Sequence, residues 1–304
     1  TLPNPTQQEE TLGAAAGDFT LEAAETNPDA GATVNLEVVG FAFDRAGAAY
    51  RWNVDGVLDR AQSGRGRPRA TITARAEGIA TSVRVEVTPA GGITRSKSVT
   101  IRAASAPLYW WADTSVPYWY KGKALPSAGS RVTVAAFPNI RNAAELSYRW
   151  QVGGGIAGPA SGIGRGTFPF RIDLPIDATV SVSISDTAGT FSKTASLSIR
   201  PVAPEVGVYE ARPLRGVVSE RRVRDFSAPA GQPYDFLAVP FFFPKERESS
   251  LRYRWIANGQ ELAGATTKPQ HLILGNKAGE SSETQVSIEA SDGRSPAAPA
   301  LALF

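Results

Sequence analysis

Apolar and polar residues alternate along most of the chain. The segments VNLEVV (34–39), VRVEV (83–87), RVTVAA (131–136) and VSVSIS (180–185) each put apolar side chains at every second position. A period of two predicts a strand with one face buried. Between such segments lie PAGG (89–92), DTAG (186–189) and SDG (291–293). Gly, Asn and Asp accept positive φ, so these read as hairpin turns. Strand patterns recur every ~8–15 residues, and no window shows a long 3.6-residue period. The fold class predicted is all-β, built from sandwiches of about a hundred residues.

The same pattern occurs three times. The triplet YRW stands at 50–52, 148–150 and 253–255, so its copies are 98 and 105 residues apart. An Ala-Gly step precedes each, with glycines Gly31, Gly129 and Gly231. A spacing near one hundred is a domain repeat rather than a solenoid period. The Ala/Pro-rich stretches AASAP (103–107) and RPVAPE (200–205) read as hinges. The organisation expected is a tail or linker over 1–17 and sandwiches over 18–104, 105–202 and 203–304, strung as a rod. Within one strand, Tyr and Trp two positions apart share a face. Tyr50, Trp52, Tyr148, Trp150, Tyr253 and Trp255 are therefore expected in the cores, with Arg51, Arg149 and Arg254 facing outward.

The copies resemble the PKD and related Ig-like modules of bacterial and archaeal surface proteins. The resemblance rests on YRWNVDG (50–56), YRWIANG (253–259), VSISDTAG (182–189) and IEASDG (288–293). It implies three tandem Ig-like or PKD-like β-sandwiches in an ectodomain. Two departures stand out: VEVTPAGG (85–92) has Pro in place of the Asp, and QVGGG (151–155) replaces the Asp-Gly turn. Residues 108–138 also resemble a stretch of multi-domain surface proteins encoded near type IV pilus genes in uncultivated small-genome bacteria. That likeness implies an exported, membrane-tethered setting and carries no catalytic residues with it.

Composition narrows the chemistry. The chain has 304 residues, 42% hydrophobic and 20% charged, enough to bury cores. It contains no Cys, which excludes disulfides and thiolate metal sites. It contains no Met, so Thr1 is not a translation start and a removed leader is expected. The ending LALF reads as an interrupted strand, which fits a longer parent. No apolar run is long enough to span a bilayer, so membrane attachment is expected only through an anchor outside these residues. A net charge of +3 is a weak signal for nucleic acid, and none is expected as a partner.

No catalytic, cofactor or metal site is expected. The single histidine, His271, lies in the strand-like KPQHLIL and reads as a partly buried sheet residue. Asp55, Asp186 and Asp292 occupy turns, where turn geometry explains them and Ca²⁺ coordination is the other reading. SGRGRPR (63–69) and GIGRG (162–166) lack the strand–turn–helix context of a phosphate cradle and look like one loop repeated.

One feature is not repeated. Six aromatic residues crowd LYWWADTSVPYWY (108–120). Adjacent Trp110 and Trp111 cannot share a face in a strand, and the same holds for Tyr118, Trp119 and Tyr120. The run therefore either packs against the first or second copy, or forms a protein or polymer contact surface, or stacks on sugar rings. RPLRGVVSERRVRD (212–225) is basic and reads as a charged sheet edge or a polyanion contact. The function expected is a non-enzymatic exported spacer and interaction module with a protein or surface-polymer partner. A carbohydrate-binding or adhesin module and an accessory region of a secreted enzyme are the alternatives.

Overall fold

The computed structural model describes residues 18–40, 43–224, 226–227, 231–262, 268–275, 284–293 and 300–303. The protein is all-β, three tandem Ig-like sandwiches made of antiparallel sheets. Contacts group the chain into two compact units. The first comprises the described residues up to Pro107 with Phe137–Tyr148 and Ser183–Ala195. The second comprises Leu108–Ala136, Arg149–Val182 and the described residues from Ser196 on.

The first sandwich contains β1 (Thr20–Ala23), β2 (Thr33–Val39), β3 (Ala49–Val54), β4 (Val57–Leu58), β5 (Gly64–Arg65), β6 (Arg69–Thr73), β7 (Ala80–Thr88) and β8 (Arg95–Arg102). One sheet is ordered β1-β2-β6; the other is β4-β3-β7-β8, with β5 on β3. Val34, Leu36, Val38 and Ile72 of the first sheet meet Tyr50, Trp52, Val83, Val85, Val87 and Ile101 of the second. These are the alternate positions of each strand, so period two becomes one buried layer.

The next elements are β9 (Leu108–Asp113), β10 (Arg131–Ala136), β11 (Ser147–Val152), β12 (Gly155–Ile156), β13 (Gly162–Ile163), β14 (Thr167–Arg171), β15 (Ala178–Ser185) and β16 (Ser192–Ile199). They form sheets β14-β10-β9 and β12-β11-β15-β16, with β13 on β11. Trp150 on β11 stacks on Phe168 of β14, with ring centroids 5.6 Å apart.

The last elements are β17 (Glu205–Arg212), β18 (Gly216–Val217), β19 (Tyr234–Phe241), β20 (Arg252–Ala257), β21 (Gln260–Glu261), β22 (His271–Leu274), β23 (Val286–Ser291) and β24 (Ala300–Leu303). Sheet β18-β17-β19-β22 faces β21-β20-β23-β24. Val206, Val208, Phe236, Ala238 and Leu272 pack on Trp255, Val286, Ile288 and Ala290. Helical structure among the described residues is limited to 3-10 turns at Ala143–Glu145, Gly158–Ala160 and Lys245–Ser250.

The triplets lie on β3, β11 and β20. Trp52, Trp150, Trp255, Tyr50 and Tyr148 are buried, and Tyr253 is half-buried. Arg51, Arg149 and Arg254 are exposed. Arg51 and Arg254 pair across their ladders with Glu86 and Glu289.

Each buried indole donates its N–H to a backbone carbonyl. Trp52 bonds Arg67 at 3.2 Å, Trp150 bonds Arg165 at 2.8 Å and Trp255 bonds Pro269 at 3.1 Å. The Tyr50 and Tyr148 hydroxyls donate to the carbonyls of Arg45 and Ala143, both at 3.0 Å. The Gly-rich loops present the Arg67 and Arg165 acceptors. Ser63 and Ser161 each take the Trp backbone N–H at 3.0 Å and donate to the carbonyl four residues back. Gly64 and Gly162 sit at φ of +144° and +142°. The repeated loop is a clasp on the core tryptophan.

The turn after the triplet explains why copy two departs from Asp-Gly. Asp55-Gly56 and Asn258-Gly259 close two-residue hairpins with both φ positive, the type that matches strand twist. Gly153-Gly154 makes the same turn. Asp55 and Asn258 add a side-chain acceptor for the backbone N–H of Ser82 and Gln285.

Burial pushes the Tyr50 and Tyr148 hydroxyls upward in pKa. Burial, with the negative charge of Glu248, pushes Tyr253 up to about 12. An unfolded chain releases these protons near pH ~10. The folded form holds them longer, so this stability is complete below about pH 10 and is lost as pH rises towards 12. Tyr253→Phe is expected to move the alkaline unfolding midpoint upward; a midpoint unchanged from wild type in an alkaline fluorescence titration rejects the assignment.

Candidate functional site

The aromatic run begins on β9, which pairs with β10 at the edge of its sheet among the described residues. Pairing sets Tyr109 opposite Ala135 and Trp111 opposite Thr133, with Pro169 of β14 beyond Thr133. Ala135 and Thr133 are small, which leaves room for both rings on this face. Tyr109 is 60% exposed and Trp111 50%. They lie two residues apart on one strand, a rise of about 6.8 Å. Arg131 lies opposite Asp113 at the end of this face.

The other face of β9 is inward. Trp110 lies opposite buried Val134 and is half-buried. The Lys123 ammonium sits 3.2 Å from its ring centroid. Burial lowers the pKa of Lys123, and the π-face of the indole offsets part of that loss of hydration.

The second half of the run turns away from solvent. Trp119 and Tyr120 are half-buried against Tyr209, Val239, Phe241 and Phe242. Ring centroids are 5.7 Å apart for Trp119–Tyr209 and Tyr120–Phe241, and 5.8 Å for Tyr120–Phe242, all near-perpendicular. Ser115 N–H donates to the Phe243 carbonyl and Phe242 N–H to that of Ser115, at 2.8 and 2.7 Å. The Ser127 hydroxyl donates to the Phe242 carbonyl at 2.6 Å. Only Tyr118, 94% exposed, projects from this segment, its ring edge-on to Trp119 at 4.9 Å.

The expected cover from copy two is found in part, since Val134 and Lys123 lie against Trp110 and Val116 and Leu125 join the cluster of Trp119 and Tyr120. Not foreseen is the third copy, whose β17 and β19 supply the rest of the cover for Trp119 and Tyr120. The reason is that β19 is apolar on both faces. Phe236 and Ala238 fill one core while Val239 and Phe241 face the other way and need covering. The five sequence-predicted site residues therefore divide. Trp111 and Tyr118 face solvent, and Trp110, Trp119 and Tyr120 are engaged within the fold. Tyr109 completes the solvent-facing pair on β9; its two-residue spacing from Trp111 was the signal for it.

The other candidate residues have partners. His271 Nδ1 lies 2.9 Å from Asp235 Oδ1 in the β19–β22 pairing. Asp55 is paired with Arg75 at 2.6 Å and Asp292 with Arg247 at 2.9 Å. Asp186 accepts from Thr190 N–H at 2.8 Å, closing its hairpin turn. Among the described residues no three His, Cys, Asp or Glu side chains gather into a metal-binding group. No helix among them is long and apolar enough to cross a membrane.

No known protein family matches the chain, and no curated protein does. Several solved structures align with it at low similarity. The central fibronectin-III array of RIM-binding protein is 15% identical, covers 94% of this chain and 95% of its own, and has a TM-score of 0.32. Fibronectin(III)-like modules of Clostridium thermocellum CbhA are 13% identical over 60% of this chain and 94% of theirs, at 0.30. Three N-terminal domains of the bacteriophage RB49 outer capsid protein Hoc are 13% identical over 94% and 96%, at 0.28. At such scores the alignments say nothing of what this chain binds.

Proposed function

We propose that the chain is a non-enzymatic, exported interaction module. Its sandwiches, divided near residues 104 and 202, act as spacers that present the Tyr109/Trp111 face to a protein or cell-surface polymer. The exposure of these two rings on one strand face supports the reading, because large aromatic side chains held by a rigid sheet form contact hot spots with little loss of conformational entropy. The setting proposed is the cell exterior, with a membrane reached only through an anchor outside these residues. The resemblance of residues 108–138 adds an association with type IV pilus systems to the proposal.

A glycan-binding role for the same face is the second reading, favoured by the ~6.8 Å spacing of the two rings along β9, which suits adjacent rings of a sugar chain. An array of bacterial glycans probed alongside whole-cell capture separates the two. Trp111→Ala is expected to weaken capture at least about tenfold while leaving the thermal midpoint unchanged. Loss restricted to the glycan array favours sugar stacking, and loss restricted to cells treated to strip glycans favours a protein. Undiminished capture by Trp111→Ala on both would sink the assignment of this face.

A further inference from the structure

The third sandwich carries a second surface with different chemistry. The edge of β17 beyond β19 is covered by β18 and the segment that follows it. Val218 N–H donates to the Glu210 carbonyl at 2.9 Å, and Val223 N–H to that of Val208 at 2.8 Å. Between these bonds Ser219–Arg222 oppose Tyr209 alone. The surplus residues leave the ladder as a bulged loop, the kind of irregularity that re-aims side chains.

Arg222 pins this loop. Its guanidinium bonds Glu205 at 2.6 Å and the Tyr209 hydroxyl at 3.3 Å, and lies 4.4 Å from the Phe241 ring centroid. Gly207 makes room for it, since a Cβ there would meet Arg222 Nε at 3.0 Å. Arg212 is likewise neutralised, by Glu210 at 2.7 Å. The remaining cations are differently placed. Arg221 and Arg224 are exposed and line an open cavity of about 510 Å³ with Arg222 and Glu220. Arg215, also exposed, stands at the β17–β18 hairpin tip. None of Arg215, Arg221 and Arg224 forms an ion pair among the described residues.

We propose that this bulged edge binds a linear polymer of repeating anionic groups, carboxylate or phosphate, through Arg221 and Arg224, with Arg215 as an outlying contact. Two observations carry it together. The loop is held by its one neutralised arginine, so the flanking guanidiniums are presented by a fixed backbone. Those guanidiniums have the planar fork that grips carboxylate or phosphate. Each exposed contact is weak alone, and a polymer that engages several in a row adds them through effective concentration.

The test is binding of fluorescent polygalacturonate and of long-chain polyphosphate, with neutral dextran as control, at about 20 and about 300 mM NaCl. Wild type is expected to bind one or both anionic polymers at low salt, less at high salt, and dextran not at all. Which polymer binds identifies carboxylate or phosphate as the group recognised. The Arg221→Gln/Arg224→Gln variant is expected to bind about tenfold or more weakly with an unchanged thermal midpoint. Arg149→Gln, at an exposed arginine of β11, is expected to bind as wild type does, which separates this surface from the general positive charge of the chain. Failure of wild type to bind either polymer at low salt overturns the proposal. So does equal binding by the double variant, equal binding of dextran, or an equal loss of binding in Arg149→Gln.

Discussion

Trp52→Ala is expected to lower stability by about 3–5 kcal/mol, the range for emptying a core of a large aromatic side chain. Trp52 is fully buried, among Leu36, Val38, Val83 and Val85. Its loss leaves a void between two sheets that the remaining buried side chains still hold apart, so the walls relax only partly into it. It also leaves the Arg67 carbonyl without its indole donor. A small domain has ~5–15 kcal/mol in total, so a loss of this size removes a large share of the fold. Trp150→Ala should behave alike, because Trp150 is fully buried and bonds Arg165 from the equivalent loop. Trp52→Phe separates the two contributions: it restores most of the volume but not the hydrogen bond, and should cost about 1–3 kcal/mol. Urea melts of the three variants measure this. A Trp52→Ala midpoint equal to wild type would mean that the triplet is not a core element.

The strands were legible because their information is local. Alternation in 34–39 or 180–185 reports one buried face whatever lies opposite. The repeat extended this, since a triplet recurring at a domain spacing points to a requirement of each fold unit rather than to three ligand sites. The hydrogen bonds that explain the triplet were less visible. Nothing local says that the Gly-rich loop at 63–67 exists to hold Arg67 under an indole fifteen residues back. Repetition was the clue, since 162–166 spells a similar loop. Tyr253 departs from Tyr50 and Tyr148 in being half-buried, although a 3-10 turn precedes it just as one precedes Tyr148.

The aromatic run was legible in outline only. The rule that neighbours in a strand face opposite ways correctly forced Trp110 and Trp111 apart. It could not name the cover for Trp119, because Tyr209 is ninety residues further on. The sequence did hold a hint in FLAVPFFF (236–243), a continuous apolar run of the kind found where a strand is buried on both faces. The basic loop at 219–224 shows the same limit. Composition marked it as cationic, but which arginine is spent on Glu205 and which ones remain outside depends on a bulge that only the pairing of β17 reveals.

Trp119 offers the second large effect, and a contrast with Trp52. Its ring closes the outer face of β17 and β19 beside Tyr209, Phe241 and Phe242. Trp119→Ala should cost about 3 kcal/mol, from lost apolar burial together with edge-to-face contacts of about 0.5–1.5 kcal/mol each. The indole N–H behaves differently from that of Trp52. Trp119 Nε1 is buried and has no hydrogen-bond partner among the described residues. A buried donor without an acceptor is itself destabilising by about 1–3 kcal/mol. Trp119→Phe removes that donor while keeping an aromatic ring over Tyr209, so the gain offsets much of the lost volume. The expected result is a Trp119→Phe midpoint within about 1 kcal/mol of wild type, beside a Trp52→Phe that falls clearly below it. Equal losses in the two Phe variants would show that Trp119 Nε1 is satisfied in solution. A Trp119→Ala as stable as wild type would show that the ring covers nothing.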